Sequence, residues 1–114
     1  MNISMQDLED NIRLISLEGR LDSNAAMEID LKFTTYAASV QKKVLVDISK
    51  VNFLASLGIR ILLSAARAQK QRGGAFLLSG AQPFIQEVIK LSGLDAHILN
   101  ASDNDAGIVL LKSL

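Results

Sequence analysis

The chain is predicted to be an α/β protein, and three observations lead to that class. Short alternating or β-branched apolar runs, at Ile3 to Leu8, Asn11 to Glu18, Val44 to Ile48 and Ala75 to Ser79, are interleaved with segments of helical period. Glycines and the one proline stand at the joints between these segments. A strand, a helix and another strand in that order imply a right-handed crossover to a parallel neighbour. A mixed sheet with helices against it satisfies all three.

The first two runs, with Glu9, Asp10 and Asn11 between them as turn residues, read as an antiparallel hairpin. In the second run Ile12, Leu14 and Ser16 point one way and Arg13, Ile15 and Leu17 the other, so both faces carry apolar weight. From Asn24 to Val40, Ala26, Ile29, Phe33, Ala37 and Val40 recur at steps of three and four, one stripe of an amphipathic helix. Val44 to Ile48 has the composition of a buried central strand.

A second helix is predicted from Gly58 to Gln71, with Ile59, Leu62, Leu63 and Ala66 inward and Arg60, Ser64, Arg67 and Gln71 outward. Gly73 and Gly74 end it, because glycine tolerates the left-handed conformation common at helix C-termini. Ala75 to Ser79 follows as a strand, and Pro83 suits the first turn of a helix to about Leu91, with Gly93 past its end. His97 to Leu99 is a candidate short strand. Ser102 then opens a capping-box pattern with an acidic first turn before a last helix to about Lys112.

Composition narrows the function. The chain has 114 residues, 49% of them apolar by type, which suits one compact domain. Twelve basic and twelve acidic side chains cancel, so no overall field draws the protein to nucleic acid or an anionic membrane. Without cysteine there is no disulfide, thiolate metal site or cysteine nucleophile. No apolar run approaches the roughly 20 residues that span a bilayer, and no leader-like segment opens the chain, so a soluble cytoplasmic protein without membrane insertion is expected.

The segment from Val44 to Gly74 is the most informative, because it places Ser56 at the mouth of a helix. The first N–H groups of a helix lack internal partners, so the Ser56 hydroxyl is read as a cap. The same donors and the positive end of the helix dipole also favour a phosphate there.

The run Val46 to Leu63 resembles the STAS family, the sulfate-transporter and anti-sigma-factor-antagonist modules, and within it the stand-alone bacterial anti-anti-sigma factors. Leu17 to Asp22 resembles the family's glycine-containing strand end, Gly73 to Leu78 its glycine-pair strand, and Val88 to Leu94 its helix ending in a Ser-Gly-Leu turn. These matches fall in family order over nearly the whole chain. The resemblance implies one STAS-like domain over residues 1–114, with a mixed sheet of four to five strands and about four helices mainly on one face.

It also implies a function. A chain of this kind binds an anti-sigma factor that is a serine kinase, is switched off by phosphorylation at Ser56, and has a serine phosphatase as a second partner. ATP would belong to the kinase, so no cofactor is expected here. Phosphorylated members carry a motif such as Asp-Ser-Ser-Gly, whereas this chain reads Ala55, Ser56, Leu57, Gly58, keeping the acceptor and changing its flanks.

The partner-binding surface is accordingly placed at Ala55 to Gly58, at Arg60, Ser64 and Arg67 on the outward face that follows, and at Ser23 and Asn24, for which helix capping is the nearer role. Asp47 is expected to accept backbone N–H groups just ahead of it. His97 is the only histidine, so neither a multi-histidine metal site nor a base for Ser56 follows from spacing. A small enzyme ranks last, for want of a nucleophile–base pair or carboxylate pair. The competing reading is an unmodified STAS subunit of a larger assembly, such as a lipid-transport complex or a stress-sensing scaffold.

Overall fold

The computed structural model describes Met1–Leu114. Strand β1 (Asn2–Asp7) turns into β2 (Ile12–Leu21), followed by α1 (Ser23–Ala38), β3 (Lys43–Leu54), α2 (Ser56–Arg72), β4 (Ala75–Ser79), α3 (Pro83–Leu91), a 3-10 turn (Leu94–Ala96), β5 (Leu99–Ala101) and α4 (Asn104–Lys112). The five strands form one sheet in sequence order. β1 is antiparallel to β2, and β2 through β5 run parallel.

The sheet is two-sided, as the alternation in β2 requires. Ile15 and Leu17 join Val44, Val46, Ile48, Phe76 and Leu78 in the larger core, with α1, α2 and α3 supplying Phe33, Leu62, Ile85 and their neighbours. Ile12, Leu45 and Leu77 meet Leu111 of α4 in a smaller core on the other face. Three helices thus share one face and α4 takes the other, in keeping with the expected architecture. Gly107 lets α4 sit close, since a Cβ there would lie 2.7 Å from Leu45 Cδ1.

Pro83, the Gly73 C-cap at φ +79° and the β4 and α3 boundaries stand where the sequence placed them. Other expectations need correction. α1 stops at Ala38, leaving Val40 exposed beyond it. β3 runs on to Leu54, because Lys50 to Leu54 find partners in the end of β2. The buried face of α2 is Gly58, Ile61, Leu62, Ala65 and Gln69, while Ile59, Leu63 and Ala66 are only half-buried. β5 lies two residues later than predicted, and His97 is an exposed residue after the 3-10 turn.

All three predicted serine-type caps are displaced by one residue. Asp22 caps α1, accepting the Ala25 N–H at 2.9 Å, while Ser23 and Asn24 begin the helix itself. Asp103, not Ser102, caps α4 through the Ala106 N–H at 2.8 Å. The N-cap position of α2 belongs to Ala55, in extended conformation with no side-chain cap, and Ser56 is the first helical residue.

Candidate functional site around Ser56

Parallel strands β2, β3 and β4 deliver the starts of α1, α2 and α3 to one end of the sheet. At that end Leu21 pairs with Leu54, and the Leu21 carbonyl accepts the Ala55 N–H at 2.9 Å. The entrance of α2 is therefore bonded to the residue that precedes the cap of α1. Beneath it, Gly58 is buried so tightly that a Cβ would come within 2.7 Å of Leu21 Cγ and 3.2 Å of Leu54 Cδ1. Gly58, predicted as a contact residue, instead forms the floor of the turn.

The remaining predicted residues divide by exposure. Ser23, Asn24, Ser56, Arg60, Ser64 and Arg67 are exposed, and Ala55 and Leu57 half-buried. Ser56, Arg60, Ser64 and Arg67 follow one another at helical spacing on the outward side of α2. The first bond inside α2 is Ile59 N–H to Ala55 carbonyl at 3.0 Å, so the N–H groups of Ser56, Leu57 and Gly58 precede the helical ladder. No acidic side chain occupies the first turn of α2, and Lys70 and Arg72 stand in its last. An exposed hydroxyl thus sits at the positive end of a helix with no carboxylate of that turn competing for it.

The neighbouring edge is pinned by Arg20. Its guanidinium lies 4.3 Å from the centre of the Phe53 ring and its Nε 3.9 Å from Asp22 Oδ2. Stacking on an aromatic face orients the cation next to the start of α1.

Asp47 behaves as expected and does more. Its Oδ1 accepts the Ser49 N–H at 2.9 Å and its Oδ2 the Asn104 side-chain amide at 3.0 Å. Asn104 in turn accepts the Ser79 hydroxyl, and Gln82 donates to the Ser49 carbonyl at 2.9 Å. Partial burial pushes the Asp47 carboxyl up, but the Ser49 bonds, Asn104 and nearby Lys50 outweigh it and hold the group below its ordinary value. The carboxylate is a structural clamp between β3, β4 and the start of α4.

Sequence reasoning missed Gln69. It is fully buried, donates to the Ala37 and Val40 carbonyls at 2.8 and 2.7 Å, and accepts the Lys42 N–H at 3.0 Å. The only sequence signal is a polar residue at a core position of α2, legible once the helix phase is known.

A cleft of about 550 Å³, lined by Asp7, Leu8, Glu9, Ile12, Ile108 and Lys112, lies at the opposite end of the parallel strands from Ser56. No helix is long and apolar enough to cross a membrane. The geometry at Ser56 is an exposed surface, suited to a macromolecule and to modification of its hydroxyl.

Comparison with known proteins agrees with this architecture. BtrV of Bordetella bronchiseptica, named as an anti-sigma factor antagonist, is 22% identical over 99% of this chain and 97% of its own. A STAS-domain anti-sigma-factor antagonist of Planctomyces limnophilus superposes with a TM-score of 0.85 at 24% identity, covering 96% of both chains. SpoIIAA of Bacillus, solved in its phosphorylated form, gives a TM-score of 0.67 at 20% identity over 96% of this chain and 99% of that one. The family model described as "Mlab, STAS domain" matches residues 4–101, and the chain belongs to the STAS domain family.

Proposed function

We propose that this STAS chain is an anti-sigma factor antagonist of the cytoplasm, a single regulatory domain that binds an anti-sigma factor and is released from it by phosphorylation of Ser56. The observation that carries the reading is the exposed Ser56 hydroxyl at the uncapped entrance of α2. The name of BtrV and the phosphorylated form of SpoIIAA support it from outside the chain.

The chemistry is simple. A partner kinase transfers the γ-phosphoryl group of ATP to Ser56 Oγ: the oxygen–phosphorus bond forms, the anhydride bond breaks, ADP leaves and the hydroxyl proton is lost. A phosphatase reverses the state by hydrolysis. The phosphate adds about −1.5 to −2 charges where the N–H groups of α2 tolerate them, so the domain stays folded. The cost falls on the partner docked over the turn, and a loss of about 3 to 4 kcal/mol weakens binding several-hundred-fold.

Incubation with the source organism's candidate anti-sigma kinase and ATP, followed by mass mapping, tests the reading. Phosphate confined to Ser56 supports it; phosphate elsewhere, or none, removes it. A second reading, an unmodified STAS subunit of a larger assembly, draws on Ala55 and Leu57 standing where an acidic and a hydroxyl residue flank the acceptor in phosphorylated members. Co-purification with transporter or scaffold subunits would favour it.

A further inference from the structure

Two helices run side by side from the Ser56 end, and their outward faces differ in character. On α1, Met27 is 69% and Leu31 82% exposed, one turn apart and following Asn24 at helical spacing. On α2, Arg60 and Arg67 are exposed, and neither joins any of the ion pairs, which link Asp7 with Arg13 and Lys42, Asp22 with Arg20 and Asp10 with Lys112. Large apolar side chains this open carry a standing hydration cost that a cover would remove, at about 25 cal/mol per Å². Cations without partners in their own chain select a surface of opposite sign.

We propose that Met27 and Leu31 are the apolar anchor of the partner interface, and that Arg60 and Arg67 on the neighbouring helix select a partner segment carrying apolar residues flanked by carboxylates. The proposal rests on the antagonist reading and specifies the chemistry of that same interface. A partner seated over Ser56 and continuing along α2 reaches Arg60 after one turn and Arg67 after three, and α1 packs alongside. The apolar stripe therefore supplies affinity, the arginines supply orientation and encounter rate, and Ser56 controls access at one end.

The test is titration calorimetry of the full chain against each kinase-type anti-sigma factor of the source organism. Met27→Gln with Leu31→Gln keeps good helix formers at exposed positions and should leave thermal unfolding unchanged while weakening binding by about tenfold or more. Wild-type affinity should fall as salt rises from about 50 to 500 mM, and Arg60→Gln with Arg67→Gln should abolish that dependence. Full affinity in the glutamine pair, or binding insensitive to salt, overturns the proposal. If the glutamine pair binds normally while Ser56→Asp does not, the switch stands and this anchor falls; the reverse result keeps the anchor and loses the switch. A panel in which no member binds the wild type overturns both. A stable dimer in sedimentation that dissociates on Leu31→Gln would assign the stripe to a second copy and overturn the proposal as well.

Discussion

The Leu21 carbonyl and the Ala55 N–H, 2.9 Å apart, join the approach to α1 to the entrance of α2. The bond spans two connections separated by more than thirty residues and makes the two helix starts one rigid surface. With Gly58 packed beneath it against Leu21 and Leu54, the turn has little room to move. On the proposed reading, a charge placed on Ser56 is expressed outward, toward the partner, rather than by rearranging the domain.

The Ala55 position offers the clearest stability test. It is the N-cap of α2, in extended conformation and without a capping side chain. Ala55→Asp supplies an acceptor for the orphan N–H groups and should raise stability by about 0.5 to 2 kcal/mol, seen as a higher midpoint in urea unfolding with an unchanged slope.

Gln69 makes the opposite prediction. Gln69→Leu strands the buried Ala37 carbonyl, at about 1 to 3 kcal/mol, and removes the partner of the less buried Val40 carbonyl and Lys42 N–H, which water can reach at smaller cost. Gln69→Glu replaces the amide that donates to both carbonyls and should be at least as damaging at neutral pH. Chemical denaturation of the two variants checks the order.

How far the sequence predicted this architecture varies with the element. The alternation of Ile15 and Leu17 against Ile12 and Leu14 assigned both faces of β2 correctly, and Gly73 and Pro83 marked their helix ends. In α2 Arg60, Ser64, Arg67 and Gln71 face outward as read, but the centre of the buried side falls on Ile61, Leu62, Ala65 and Gln69, because apolar residues on both flanks of that stripe leave periodicity more than one choice. Gln69 was hidden for a related reason: its partners come from the last turn of α1 and the α1–β3 connection, some thirty residues upstream. Each cap slipped by one residue because the capping position depends on where the preceding segment ends, and at α1 and α4 the aspartate next to the serine held it. At Ser56 the same slip matters, since it frees the hydroxyl from a structural duty.

Asp47 gives a pH dependence with a definite sign. Its carboxyl is held below the ordinary value of 3.8, so the stabilisation from its bonds is fully present above that value and is lost as pH falls through the lower folded one. Thermal melts should therefore show the gap between wild type and Asp47→Asn closing as pH drops below about 4 and staying constant at higher pH. A gap that widened on acidification would reverse the assignment.

The most direct test of the switch is Ser56→Asp, assayed in parallel for unfolding and for binding to the cognate anti-sigma factor. The account predicts an unfolding midpoint equal to or slightly above wild type, since a negative group at a helix start contributes about 0.3 to 1 kcal/mol, together with at least about a hundredfold loss of affinity. Wild-type affinity in the folded variant would contradict it.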